Sequence, residues 1–384
     1  MLDRNLIQRE YGFLEDVIYL DTSKVSMPPL RVQKAWKEYI SGYVEEYCLN
    51  YEKYFPEKLE RARGELAKLL QTEPGEIAFT HSVSDSMTLL ANSFPFENGD
   101  NVVITAEEHP SNVFPWLGLE RRGVKVKMVP GKNGFVEAED IIAAIDERTR
   151  VVSVASAFFC SGYAVDVRKI GKACRERGVV YAVDATQSMG FRAIRPREMN
   201  IDFMAGGGHK GLLGTKSIGF AYCSRELTGK LKPYTGSLQS ADNAGRPCVL
   251  QHYDEIKWRP GAERLEAGNY PYALIEALGN GVSLINELGI ENIEAEIRMM
   301  EEMLRERIRD LPLKVITPPR ENRSGLLFIY YPETADPKRV EKILWDHRVR
   351  ATVRYDYIRM TLDFYNSPEQ IERIAETLED IARL

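Results

Sequence analysis

Three short segments carry residue types that could do chemistry together. The first is Val179-Val180-Tyr181-Ala182-Val183-Asp184-Ala185-Thr186-Gln187, an apolar strand ending in an acid with an amide three residues on. The carboxyl ends of strands in parallel α/β sheets line the ligand crevice, so Asp184 would arrive at a partly dehydrated site. Taken alone, it could equally cap the next helix. The second is Ala205-Gly206-Gly207-Gly208-His209-Lys210-Gly211. Three consecutive glycines let backbone approach a ligand closely and deliver a lysine. An amine in a desolvated pocket has a lowered pKa and can form an imine with a carbonyl. The third, Phe79-Thr80-His81-Ser82-Val83-Ser84-Asp85-Ser86, runs from a strand into a predicted helix through hydroxyl residues. Its free N–H groups and the helix end suit a phosphate, although such hydroxyls also serve as plain N-caps. A buried acid, a reactive lysine and a phosphate cradle together meet the needs of pyridoxal 5′-phosphate. The acid keeps the pyridine nitrogen protonated, the lysine carries the aldehyde and the helix end fixes the phosphate.

The elements that must position these residues follow from apolar periodicity. Between Glu76 and Cys223, seven short apolar runs (76–79, 101–104, 124–129, 151–155, 179–183, 203–205 and 218–222) alternate with helical patterns such as 112–122 and 167–177. That is the rhythm of βαβ units building a mostly parallel seven-stranded sheet. After about Ile285 a charged amphipathic stretch, 292–311, precedes a strand-like run at 324–331, then helix, strand, strand and a last helix. Ser367-Pro368-Glu369-Gln370 marks the start of that helix with an N-cap serine, proline at its first position and a glutamine placed for a capping box. The expected division is an N-terminal segment over 1–18, a large α/β domain over 19–285 and a smaller α+β domain over 286–384.

The chain has 384 residues, 44% hydrophobic and 28% charged, with a formal charge of −6. That composition supports a sizeable core and argues against disorder. The acidic balance supplies no basic footprint for nucleic acid and no polybasic membrane arm. Cys48, Cys160, Cys174, Cys223 and Cys248 lie far apart with no Cys-x-x-Cys pair, so neither a metal site nor a redox dithiol is expected. The N-terminus lacks a signal-peptide core and no run of about 18 apolar residues occurs, so the protein is expected to be soluble and cytoplasmic.

With these motifs in this order, the chain resembles the class V aminotransferase superfamily of fold-type I pyridoxal-phosphate enzymes, which includes cysteine desulfurases and isopenicillin N epimerase-like proteins. The resemblance runs from Tyr19-Leu20-Asp21 to Arg359-Met360-Thr361-Leu362-Asp363-Phe364-Tyr365-Asn366. It implies that Lys210 carries the cofactor and that Asp184 pairs with the pyridinium nitrogen. It also implies that Gln187 bonds the ring hydroxyl and that His109, in Glu108-His109-Pro110-Ser111-Asn112-Val113-Phe114-Pro115-Trp116, stacks on the ring. Val83 and Ser84 match the phosphate-binding turn, with His209 contributing. Arg359 matches the arginine that binds the substrate α-carboxylate. Asn269, in Arg264-Leu265-Glu266-Ala267-Gly268-Asn269, belongs to a loop that reaches the phosphate of the neighbouring subunit, which implies a homodimer with shared active sites.

The chain also departs from the family. Gly207 replaces a serine common three residues before the lysine, Asn269 replaces a threonine, and Phe159 stands where desulfurases carry an asparagine. Desulfurases present a cysteine on a mobile small-domain loop, but the last cysteine here is Cys248 and the segment 346–359 has none. Cys160 reads as an inert, buried thiol. The implied activity is at the α-carbon of a small amino acid, with Lys210 as general base, ending in transamination or β-elimination; aminotransferase is the family's general label. The alternatives are a desulfurase-like or epimerase reaction and a non-catalytic cofactor-binding protein.

Overall fold

In the computed structural model, which describes residues 2–14, 16–242 and 256–384, the strands in chain order are β1 (Ile18–Tyr19), β2 (Ile77–Thr80), β3 (Asn101–Thr105), β4 (Lys125–Val129), β5 (Thr149–Ala155), β6 (Val180–Asp184), β7 (Phe203–Gly207), β8 (Gly219–Cys223), β9 (Lys314–Val315), β10 (Leu326–Tyr330), β11 (Val349–Arg350), β12 (Thr352–Val353) and β13 (Tyr357–Thr361). The α-helices are α1 (Arg4–Tyr11), α2 (Leu30–Ser41), α3 (Tyr51–Leu70), α4 (Val83–Ser93), α5 (Phe114–Leu117), α6 (Ala138–Ala143), α7 (Val167–Arg177), α8 (Arg225–Lys230), α9 (Tyr272–Leu288), α10 (Ile290–Arg307), α11 (Pro337–Asp346) and α12 (Pro368–Ala382). No helix among the described residues is long and apolar enough to cross a membrane.

Seven strands form one sheet in the order β2-β8-β7-β6-β5-β3-β4. Its central pairings are parallel, and β8 runs antiparallel to both β2 and β7. Side chains alternate between its faces, as strand geometry requires. Ala78, Val102, Ile104, Phe203 and Ala205 join one apolar cluster with Met87 and Leu90 of α4 and Trp116 of α5. Ile77, Phe79, Val103, Val183, Met204 and Phe220 join the other cluster, with residues of α3, α7 and α9. Apolar on both faces, the strands read as near-continuous hydrophobic runs and are covered by helices on each side.

All seven runs read from the sequence are strands of this sheet. The helix expected over 112–122 is instead broken. A 3-10 turn at Pro110–Asn112, the four-residue α5 and a second 3-10 turn at Glu120–Arg122 take its place. Pro115 in the first turn of α5 and Gly118 at its C-cap account for the interruption. Helix α7 forms over the expected residues, capped by the Asp166 side chain and ended by Gly178 in the left-handed region at φ 66°.

A second, four-stranded antiparallel sheet, β12-β13-β10-β9, lies in the C-terminal part. Helix α12 starts with the expected capping box at Ser367 and Gln370. The N-terminal segment joins this part of the molecule, since β1 pairs in parallel with β11 and the Arg4 guanidinium donates to the carbonyls of Phe364 and Asn366. Beyond β1, the chain crosses between the two sheets. The Leu20 carbonyl accepts from Thr361 N–H at 2.8 Å, the Ser23 carbonyl accepts from Gln187 Nε2 at 3.3 Å, and Ser26 N–H donates to the His209 carbonyl at 2.8 Å.

Candidate active site

The C-terminal ends of the parallel strands surround a cavity of about 520 Å³, within the range of small-molecule sites. Asp184 ends β6 and is 5% exposed; one carboxylate oxygen accepts from Thr186 N–H at 3.0 Å. Lys210 follows β7 on a turn that packs backbone to backbone against the segment after Asp184. A Cβ on Gly211 would stand 2.2 Å from the Met189 carbonyl oxygen, and one on Gly190 would stand 2.0 Å from that of Gly211. Only glycine permits that approach, so the glycines fix the lysine turn beside the acid. Of the three glycines before His209, Gly207 alone lines the cavity. A side chain on Gly206 would meet the Phe220 ring, and one on Gly208 would meet Ile218, so these two serve the packing against β8 rather than a ligand.

The second sheet contributes Arg359. Along β13, Ile358 and Met360 point into the apolar core, and Arg359 between them points to the other face and lines the cavity. Its nearest ionic partner is Asp21, with Nη2 4.0 Å from Oδ1, and Asp21 is itself held by Thr352 Oγ1 at 2.6 Å.

His109 stands at the cavity wall. Its Nδ1 lies 2.9 Å from Ser111 Oγ and accepts from Ser111 N–H at 3.2 Å, and its ring meets Phe159 edge-on at 5.1 Å. Burial and the positive charge of Lys210 push the imidazole below its ordinary value. Burial, with Lys210 and Lys216 adding to it, takes His209 down to about 4. Burial likewise lowers the Lys210 amine, opposed by Asp184 and assisted by Arg359. The cavity thus brings together an amine and two imidazoles whose protonated forms burial disfavours.

Of the residues singled out in the sequence, Lys210, Asp184, Gln187, His109, His209, Val83 and Arg359 line this one cavity. Ser84 and Asn269 do not. Ser84 is exposed in the first turn of α4, where the wall is made by the N-cap Ser82, and Asn269 sits exposed on its loop in the left-handed region at φ 50°. Phe159 lines the cavity. Cys160 points to Glu107, its Sγ 3.1 Å from a carboxylate oxygen, and burial and that acid push the thiol up to about 12. Cys248 lies outside the described residues. The structure adds Ser23, Lys24, Thr186, Lys216 and Arg354 to the walls. Thr186 alone had a local signal, lying between Asp184 and Gln187.

Three buried polar atoms of the cavity residues have no hydrogen-bond partner: Ser23 Oγ, Thr186 Oγ1 and Arg359 Nε. Buried polar groups are rarely left unpaired, so a polar ligand is the natural complement of this wall. An acid, a deprotonable lysine, hydroxyls at the N-terminus of α4 and an unsatisfied guanidinium are the donor set a phosphorylated pyridine aldehyde and an amino acid require.

Residues 18–374 match the Aminotransferase class-V family model. The chain belongs to that family. It is 31% identical to a probable cysteine desulfurase of Methanothermobacter thermautotrophicus over 98% of this chain and 97% of that protein. Its fold superposes on the apo cysteine desulfurase of Thermococcus onnurineus with a TM-score of 0.87 at 24% identity, covering 100% of this chain and 98% of the other. It superposes equally, at 0.87 and 18% identity over 97% of this class V chain and 99% of the other, on a lysine-to-alanine variant of C-DES with glycine covalently linked to its PLP cofactor. Another structure of C-DES, a cystine C–S lyase, holds its product cysteine persulfide.

Proposed function

We propose that this class V protein is a pyridoxal 5′-phosphate-dependent lyase that removes the α-proton of a small amino acid and expels a β-substituent. The observation that carries the reading is the convergence of Lys210, Asp184 and Arg359, from two sheets, on one cavity with unpaired polar atoms. When bound, the cofactor supplies the electron sink for the carbon that loses its proton. Asp184 would keep a proton at the ring nitrogen, Gln187 would serve the ring hydroxyl and His109 would pack against the ring. Ser82, His209 and the first turn of α4 would hold the phosphate. Arg359 holds the substrate carboxylate with its planar fork. Lys210, whose amine burial makes easier to deprotonate, is the base placed to take the proton from the α-carbon. Phe159, on the same wall, would offer the ring an apolar neighbour in place of a hydrogen-bonding one.

Sulfur-bearing substrates are favoured by the relatives named above. No cysteine occurs in 346–359, and the Cys160 thiol is held protonated, so sulfur leaves with the expelled group instead of passing to a thiol on the small-domain loop. The homodimer with shared sites, in which the exposed Asn269 would reach a neighbouring copy, rests on the family resemblance. The scattered cysteines fit a reducing cytoplasm.

Purified protein supplied with the cofactor should be yellow, and borohydride should fix the cofactor to Lys210. Incubation with cysteine or cystine should yield pyruvate and ammonia without added oxo acid. Amino transfer to an added oxo acid in place of these products would move the assignment to aminotransferase, and a reducible link at another lysine in Lys210→Ala would overturn the site.

A further inference from the structure

Glu108 and Asn112 bracket the turn that carries His109, and the function above leaves both unused. Glu108 is 5% exposed and its carboxyl group receives donors from three directions. Thr105 Oγ1 at the end of β3 lies at 3.1 Å, Asn112 Nδ2 across the turn at 2.8 Å, and Ala155 N–H at the end of β5 at 2.9 and 3.0 Å from the two oxygens. Asn112, 0% exposed, accepts in turn from Trp116 Nε1 at 3.3 Å and Ser153 Oγ at 2.6 Å. Ala155 is in register with Asp184 on the next strand. The turn is thereby fastened to the strand that lies beside the acid.

We propose that Glu108 is the positioning residue for His109, tying its turn to the end of β5 next to Asp184 and so setting where the imidazole stands in the cofactor site. The inference rests on the reading that pyridoxal phosphate occupies the cavity with His109 against it.

Burial pushes the Glu108 carboxyl up to about 8, partly offset by the hydrogen bonds from Asn112 and Ala155, with Asp184 pushing the same way as burial. Glu108 therefore keeps its proton at neutral pH and adds no second full negative charge beside Asp184. A neutral acid is well imitated by glutamine. The Gln oxygen can accept from Asn112 and Ala155, and its amide can donate to Thr105 Oγ1, since a hydroxyl both donates and accepts. Leucine has similar volume and no acceptor, so it leaves two buried donors unpaired.

Glu108→Gln and Glu108→Leu in the full chain separate the two roles. In cofactor-free Glu108→Leu, the His109 imidazole, followed by NMR, should titrate upward toward its ordinary 6.5 as the ring is released into solvent. Affinity for pyridoxal phosphate by equilibrium dialysis should fall at least tenfold, and the dichroism of the bound cofactor should weaken. Glu108→Gln should stay within twofold of the parent in affinity and keep its dichroism. A folded Glu108→Leu with parental His109 titration and dichroism overturns the proposal, as does a Glu108→Gln that loses as much. If Glu108→Leu does not fold, Glu108→Gln with Thr105→Val, which strips the amide of its acceptor, should show about a threefold loss, and parental values there would also overturn it. Failure of the parent chain to bind the cofactor would instead refute the proposed function, and the His109 titration would still decide the positioning role.

Discussion

Arg359 reaches the cavity with Asp21 at 4.0 Å and with its Nε buried and unpaired. Burial lowers its pKa, yet a guanidinium remains charged throughout the working range. Such a group has an unused edge to offer a carboxylate as two parallel hydrogen bonds. Arg359→Ala should raise KM for the amino acid by roughly 30- to 100-fold, about 2–3 kcal/mol for a charge-assisted pair. Cofactor absorbance should not change. Arg359→Lys should recover only part of the loss, and an unchanged KM would remove the carboxylate role. Residues of this kind were legible in the sequence where a strand end or glycine turn presents them, as with Asp184, Lys210 and His209. The Ser84 side chain turns away from the wall because one step along a helix past Val83 rotates the side chain by about 100°; Ser82 and Val83 line the cavity. Ser23, Lys24 and Arg354 had no local signal, because only the crossing of the N-terminal segment and the packing of the second sheet bring them in.

At the scale of elements, the strands could be read because a sheet covered on both faces makes each one an apolar run, whereas the His109 turn is held by side-chain hydrogen bonds that leave no periodicity. The Lys210 turn depends on a feature of the same hidden kind, the contact of its backbone with the segment after Asp184. In Gly211→Ala, the new methyl would stand 2.2 Å from the Met189 carbonyl oxygen and 2.7 Å from the Phe191 ring, so the turn must move outward. The expected loss is roughly 1–3 kcal/mol, typical of overpacking. Because the displaced element carries the lysine, cofactor binding should weaken with it. Gly64→Ala is the control: it lies within α3 with nothing within 4 Å of the added carbon, and should gain about 0.5–1 kcal/mol. Urea unfolding of both variants, with cofactor binding by absorbance, checks the pair. A Gly211→Ala protein as stable as its parent would show that the turn has room to shift.

At the scale of the molecule, the N-terminal segment and the second sheet are joined through a buried aromatic cluster. Tyr11 of α1 packs on Phe364 and Tyr365, with ring centroids 5.7 and 4.6 Å away, and the hydroxyl groups of Thr22 and Tyr365 are hydrogen bonded. Asp363, 1% exposed, sits among them and accepts from Phe364 N–H at 2.8 Å. Burial, only partly offset by the hydrogen bonds it accepts, raises its carboxyl from 3.8 to about 7. The folded chain therefore holds a proton that the unfolded chain releases above pH 3.8. The stability from this group is fully present below that pH and is lost as pH rises through 7. His209 works in the opposite sense: with its pKa lowered from 6.5 to about 4, it favours the folded state increasingly as pH rises across that interval. Subtracting a variant from its parent cancels every titration but the one removed. Asp363→Asn keeps an oxygen for Phe364 N–H and cannot ionise, so between pH 5 and 8 the parent should lose roughly 2–3 kcal/mol relative to it, the linkage for about two pH units below the folded pKa. Urea unfolding at the two pH values measures the difference directly. Equal losses in parent and variant would mean that Asp363 is ionised in the folded protein and that the aromatic cluster tolerates a buried negative charge.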